Sequence, residues 1–218
     1  RCVPKPPSAA GYAECLKAAG MAGAEPQGRG VSSAQRVSKP RPPSGRDPDT
    51  TAEPPTKPTI AAVHGPCIDY GRTGILICDF VIASNTAVFS YPEVSIGAPT
   101  IVGAIRLPPR VGWANAMELL LTGKPIDVER AKEIGLVWRV VEAEELQAEA
   151  MAWARTLTRA APLAQRATKE VAWRTADMGW IESVRFGEVM RKVAAATGDA
   201  AEGVRAWAEK RKPEWKGR

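Results

Sequence analysis

Short apolar runs bounded by chain breakers alternate with helix-like periodicity from residue 59 onward, and the stretch before residue 58 lacks both patterns. Ile60 to Val63 and Phe80 to Ala83 read as short buried strands. Between them, Tyr70 to Cys78 predicts a short helix after a glycine-containing turn, and Ala87 to Ser90 a further strand. This alternation predicts an α/β core. After Pro99 helices dominate. Trp113 to Thr122 carries Ala116, Met117, Leu120 and Leu121 along one side, with Gly123 as its C-cap. Asp127 is the expected N-cap of the next helix, which Gly135 ends. Leu136 to Val141 reads as a strand, and Glu142 to Arg159 as a long helix whose acidic first turn complements its dipole. Pro162 sits at the first turn of a helix to about Thr175, and Trp180 to Ala196 follows. Asp199-Ala-Ala-Glu202 reads as a capping box before the last helix. No internal repeat is visible.

Residues 1–57 have a different texture. The first 58 positions hold more than half of the 19 prolines, and large aliphatic residues are nearly confined to Val3, Leu16, Met21, Val31 and Val37. Such a segment buries too little apolar surface to offset its ordering entropy. Pro-Pro pairs at 6–7, 42–43 and 54–55 exclude long helices and central strands. One short helix fits Ala9 to Ala24, with Tyr12, Leu16 and Met21 on one side, weakened by Gly11, Gly20 and Gly23. The expected organisation is therefore an irregular or disordered Pro-rich segment at 1–57, an α/β core at 58–160, and a helical region at 161–218.

Composition narrows the chemistry. A hydrophobic content of 44% supports a core, and no apolar run is long enough for a membrane span. The N-terminus shows no secretory core, so a cytoplasmic protein with reduced thiols is expected. Cys2, Cys15, Cys67 and Cys78 form no C-x-x-C pair and His64 is the one histidine, so no metal site is expected. The formal net charge of +6 is spread along the chain with no nucleic-acid motif beside it, so no nucleic-acid partner is expected.

Several blocks then agree in order and spacing with one family. Thr59 to Val63 breaks at His64-Gly65-Pro66, passes Asp69-Tyr70-Gly71 and enters Ile75-Leu76-Ile77-Cys78. Phe89-Ser90-Tyr91-Pro92-Glu93 comes next, followed by Arg106-Leu107-Pro108, Ala116 to Gly123 and Ala131 to Val137. This succession resembles the crotonase superfamily, the enoyl-CoA hydratases and isomerases, over about residues 57 to 218. The resemblance implies a crotonase-like (ClpP/crotonase) ββα spiral core, incomplete at its N-terminal side, with a helical C-terminal region. It also implies an acyl-CoA substrate, fatty acid metabolism, no cofactor beyond the coenzyme A of the substrate, and a homo-trimer or hexamer.

The family's shared step forms a thioester enolate whose oxygen is held by two backbone N–H groups, fixed donors aimed at developing charge. By position, Tyr70 and Gly71 supply the oxyanion turn, with the Tyr70 N–H as the donor and the following helix aiming its positive end at the same oxygen. Many relatives carry three glycines where this chain has Asp69, Tyr70 and Gly71. A carboxylate about 4 Å from a forming oxyanion costs roughly 1–4 kcal/mol, a cost that Asp69 escapes if it points into solvent. Taken alone, Asp69-Tyr70-Gly71 also reads as an ordinary tight turn. The family's second donor comes from an upstream loop of small residues, and residues 1–58 hold no counterpart.

Hydratases of the family use two glutamates, because water addition needs a base on one side and an acid on the other. Glu93 matches one of these positions. The other falls on Thr73, which cannot act as a carboxylate base. One well-placed glutamate still moves a proton, the pattern of isomerase-like, one-base members. His64 stands where relatives often have Asn and is expected to make a structural hydrogen bond at a strand end. Cys67 is expected to be a small buried residue. The segment Arg205 to Lys216 resembles the family's last helix, where Trp207 and Lys210 occupy the positions that meet the adenosine phosphate end of CoA. A solvated basic helix end that complements the dipole explains the same residues. The seven tryptophans are expected to serve packing and interfaces. Two readings from different classes remain open: an impaired or one-base acyl-CoA enzyme, and a non-catalytic remnant that binds CoA or partner subunits. A third, a basic interaction protein acting through residues 1–57, would show salt-dependent polyanion binding.

Overall fold

Each of two three-stranded sheets is organised around one short apolar run. The computed structural model describes residues 55–68 and 70–218, so the expectations for residues 1–54, including the helix at Ala9 to Ala24, and those for Asp69 fall outside the described residues. Strands β1 (Ile60–Val63), β3 (Phe80–Ser84) and β6 (Arg139–Val141) form a parallel sheet in the order β1-β3-β6. Strands β2 (Pro66–Cys67), β4 (Val88–Phe89) and β5 (Ile126–Asp127) form the second, with β2 parallel and β5 antiparallel to β4. The central strand β3 is buried on both faces. Val81 and Ala83 join the main core with Phe89, Leu107, Leu119 and Leu136, while Ile82 meets Leu146 and Ala150 on the other side. This is the alternation that strand geometry imposes on a sheet covered on both faces.

The helices among the described residues are α1 (Tyr70–Leu76), α2 (Ile101–Val111), α3 (Trp113–Thr122), α4 (Val128–Glu133), α5 (Leu146–Leu157), α6 (Pro162–Arg174), α7 (Trp180–Ala195) and α8 (Gly198–Ala208). Gly123 ends α3 in the left-handed region at φ 64°, and its N–H donates to Leu119 O. Asp127 caps α4 by accepting the Arg130 N–H at 2.8 Å. Both agree with the sequence reading. No helix among the described residues is long and apolar enough to cross a membrane.

Helix α2 runs through Pro108 and Pro109, and two expectations for later helices need correction. Proline has no N–H to donate to the carbonyl four residues back, so each costs an intrahelical bond that the packing of the helix must offset. Gly103, Leu107 and Val111 are buried along one side and hold the helix on the core. Helix α5 starts at Leu146 rather than Glu142. The Glu142 carboxylate instead accepts from the Asn85 amide, and residues 142–145 form a turn closed by Glu145 N–H to Glu142 O at 3.0 Å. The expected capping box is not one. Thr197 is the N-cap of α8, its Oγ1 accepting the Ala200 N–H at 3.3 Å.

Asp199 and Glu202 do other work inside α8. Asp199, 2% exposed, accepts backbone N–H groups of Lys216 (2.7 Å) and Gly217 (2.9 Å). Glu202 accepts from the Arg211 guanidinium (2.6 Å) and the Glu214 N–H (3.0 Å), and pairs with Arg205. The two carboxylates fold the C-terminal segment back along α8, where Trp215 rests against Gly203 and donates to Arg159 O at 2.8 Å. Arg211, the Glu214 N–H and Arg205 together hold the Glu202 carboxyl well below the usual carboxylate range. A lowered folded value means that this latch contributes fully above the unfolded glutamate value of about 4.3 and is lost as pH falls through the folded value. Glu202→Gln is therefore expected to remove part of the acid sensitivity. The thermal midpoint of the parent should fall more steeply below about pH 4 than that of the variant. Equal slopes would contradict the latch.

Candidate active site

The site assembles where α1 meets the chain leaving β4. The first N–H groups of α1, those of Tyr70 and Gly71 included, precede the intrahelical bonding pattern and have no partner within the helix. Along α1, Arg72, Ile75 and Leu76 are buried, an i, i+3, i+4 stripe facing the core. At the other end, the Arg110 guanidinium of α2 donates to Ile75 O (3.1 Å) and Cys78 O (2.9 Å). A cation at the C-terminal end of a helix complements its dipole and here fixes α1 against α2.

β4 continues through buried Ser90 and Tyr91 into a 3-10 turn, Pro92–Ile96, which carries Glu93. Ser90 Oγ donates to Gly123 O at 3.2 Å, tying this chain to the end of α3. Gly97 closes the turn in the left-handed region at φ 75°, and the Ala98 N–H donates to Glu93 O at 3.0 Å. The backbone of the turn is thus held at both ends.

The Glu93 side chain is engaged by Arg72. Both carboxylate oxygens meet the guanidinium: Oε2 accepts from Nη1 at 2.5 Å and Oε1 pairs with Nη2. The two side chains are 7% and 14% exposed, so water screens the pair weakly. Arg72 Nη1 also donates to Ser90 O at 3.4 Å, and the guanidinium lies 4.6 Å from the Tyr91 ring centroid. Removing one member of such a pair typically costs about 3–5 kcal/mol, since the other charge stays buried. The Tyr91 ring lies where a Cβ on Gly103 would meet it at 2.8 Å, so glycine at 103 is what lets α2 approach. Burial pushes the Tyr91 hydroxyl ionisation up.

The other residues singled out in the sequence fall as follows. Thr73 is half-buried on α1, next to Arg72, and supplies no carboxylate. Cys67 is buried on β2, and burial pushes its thiol up to about 12 against the opposing pull of Arg72, so it offers no thiolate. His64 is exposed at the end of β1, and its side chain makes no hydrogen bond among the described residues. Trp207, 83% exposed, and Lys210, in the left-handed region at φ 53°, lie at the C-terminal end of α8. Among the described residues neither forms a hydrogen bond or ion pair with α1 or with the 3-10 turn. The tryptophans divide. Trp138 and Trp153 pack against the second core cluster in tilted contact with each other and in tilted or edge contact with Phe80, while Trp113 and Trp180 are exposed at 72% and 79%.

Arg72 is the site residue that the sequence reading missed. Its signal was present: a lone arginine at a position in register with Ile75 and Leu76 on the buried side of a short helix. Arginine is almost never buried without a partner, so that register already pointed to an acceptor nearby, carboxylate or carbonyl. The arrangement offers one carboxylate for proton transfer, held by a cation, beside the donor-rich first turn of α1.

Residues 48–218 match the model of the enoyl-CoA hydratase/isomerase family. A probable enoyl-CoA hydratase of Mycobacterium bovis is 39% identical over 159 residues, spanning 72% of this chain and 62% of the relative. Carnitinyl-CoA dehydratase of Salmonella arizonae is 40% identical over 166 residues, spanning 74% of this chain and 64% of that protein. The crystal structure of enoyl-CoA hydratase from Mycobacterium tuberculosis H37Rv superposes with a TM-score of 0.73 at 37% identity, covering 76% of this chain and 66% of that one. The chain thus spans a little over three fifths of the length of the curated relatives it matches.

Proposed function

Because the chain belongs to the enoyl-CoA hydratase/isomerase family, we propose that it binds an acyl-CoA thioester and moves a proton at the carbon beside the thioester carbonyl, with Glu93 carrying the proton. The observation that carries this reading is the placement of Glu93, the carboxylate to which the resemblance assigns acid–base chemistry, on a turn braced against α1. In the step, a Glu93 oxygen takes a proton from that carbon, and the C–H electron pair moves into an enolate. The enolate oxygen is stabilised by the first-turn N–H groups of α1 at Tyr70 and Gly71. Return of the proton to the same carbon gives isotope exchange, and return further along an enoyl chain gives double-bond migration. Val94 and Ile96 on the turn, and Ile101 and Ile105 on α2, are exposed apolar residues suited to an acyl chain. Trp207 and Lys210 suit the adenosine phosphate end of CoA, an aromatic face and a point charge. Exposed Ile181, Val184 and Val189 on α7 suit contact with further copies in a trimer or hexamer.

Water addition is the weaker capacity. Thr73 replaces one of the two carboxylates that hydration needs. Crotonyl-CoA hydration by the parent is expected to be slow or absent, and Thr73→Glu alone is expected not to bring it to the rate of an efficient family enzyme. A continuous assay of enoyl-thioester absorbance measures both, and fast hydration by the unaltered chain would contradict this account. A second reading, a non-catalytic member that binds CoA or partner subunits, is favoured by one observation: Arg72 already occupies both oxygens of Glu93. Deuterium exchange into an acyl-CoA distinguishes the two. Exchange supports the enzyme, and CoA binding without exchange supports the second reading.

A further inference from the structure

We propose that Arg72 is a positioning residue that holds Glu93 as a closed ion pair and makes the carboxylate a poorer proton acceptor, so that opening of this pair governs the chemistry of the site. The inference rests on the proposed role of Glu93 and adds an internal control to it.

Three features of the geometry support the assignment. The contact is bidentate, so neither oxygen of Glu93 is left without the guanidinium. Arg72 is held on further sides, by Ser90 O and by the Tyr91 ring, so it cannot swing from Glu93 without leaving those partners as well. Arg72 is also only 6% exposed, so little water competes for either charge. An opposite charge in contact favours the ionised form of a carboxylate, and the deprotonation it must perform on carbon becomes harder. The rest of the buried α1 stripe is apolar, Ile75 and Leu76, so an apolar side chain suits the Arg72 position on packing grounds. Among the described residues, Cys67, Tyr91 and Arg110 are charged or titratable neighbours. Cys67 on β2 and Tyr91 beyond β4 both resist ionisation through burial, and Arg110 on α2 is turned to the carbonyls of Ile75 and Cys78. Asp69 lies outside the described residues.

The experiment uses the full chain labelled with glutamate carrying carbon-13 at the side-chain carboxyl, with the Glu93 resonance assigned by its loss in Glu93→Gln. The resonance is titrated in the parent, in Arg72→Leu and in Arg72→Lys, which keeps a charge but loses the planar fork. Native fold is checked by tryptophan fluorescence. The Glu93 midpoint is expected to rise by about 1–3 pH units in Arg72→Leu and by less in Arg72→Lys. An unmoved midpoint in a folded Arg72→Leu overturns the inference. Should Arg72→Leu not fold, the midpoint in Arg72→Lys decides alone, a rise supporting the inference and no rise overturning it. The same proteins are then assayed for deuterium exchange into butyryl-CoA across pH. Faster exchange in Arg72→Leu, with its lower pH limb displaced upward in step with the resonance, supports the inference and the catalytic reading together. A displaced resonance with no exchange in any variant leaves the ion-pair assignment standing and removes the catalytic reading, so the two failures are distinguishable.

Discussion

Glu93→Gln is expected to slow deuterium exchange at the carbon beside the thioester by about 10²–10⁴-fold, the usual contribution of a positioned general base. Glutamine keeps the length and planarity of the side chain and removes only the proton acceptor. The substitution also leaves the Arg72 guanidinium without its anionic partner at a site where both side chains are largely buried. A drop in thermal stability should therefore accompany the kinetic loss. The two effects separate by measuring exchange well below the variant's own unfolding midpoint and comparing Kd for CoA. Unchanged CoA affinity with the rate lost identifies Glu93 as the group that moves the proton. Exchange in the parent that survives Glu93→Gln would assign the chemistry elsewhere.

The second large effect is on the fold that carries the site. Phe89, 1% exposed, lies on β4 between Cys67 of β2 and Ile126 of β5, in the main core. Phe89→Ala is expected to lower stability by about 3–5 kcal/mol, through lost burial and the cavity left behind. Phe89→Leu should cost distinctly less, because most of the volume is kept. Denaturant titration monitored by fluorescence measures both. Glu93 is only four residues further along the same chain, so loss of β4 packing should loosen the turn as well. A Phe89→Ala protein as stable as the parent would contradict the placement of β4 at the centre of its sheet.

The crotonase-like α/β fold is legible in the sequence where local signals and tertiary packing agree. The Ile60–Val63 run, the Trp113–Thr122 helix with Gly123 after it, and Asp127 ahead of α4 each appear in the structure as read, although the buried side of that helix carries Ala116, Leu119 and Leu120, with Leu121 69% exposed. Where local and tertiary preferences oppose each other, the local signal misleads. Pro108 and Pro109 argue against a helix, yet the buried stripe of Gly103, Leu107 and Val111 sustains one. Glu142 to Glu145 look like an acidic first turn, yet Asn85 draws the Glu142 carboxylate away from it. Asp199 and Glu202 have the spacing of a cap but are claimed by residues 211–217, a long-range partnership invisible to any local rule.

The site was legible to a similar degree. Family resemblance located Glu93, Thr73 and the Tyr70-Gly71 turn, and the structure sets Glu93 beside the helix that begins at Tyr70. Resemblance passed over Arg72, because a departure inside a helix carries no motif. Its importance is electrostatic and depends on a partner 21 residues away. Burial of a cation is a stronger statement than its position in a pattern, since a charge removed from water must find its counter-charge. The result is a candidate site in which a buried guanidinium holds the Glu93 carboxylate.

The central claim, that this chain moves a proton beside an acyl thioester, is tested most directly by incubating it with butyryl-CoA in deuterium oxide and following the mass of the acyl group. The account predicts slow, protein-dependent incorporation of deuterium at the carbon next to the thioester, proportional to protein concentration. No incorporation above the uncatalysed rate, under conditions where CoA binding is demonstrated, would contradict it.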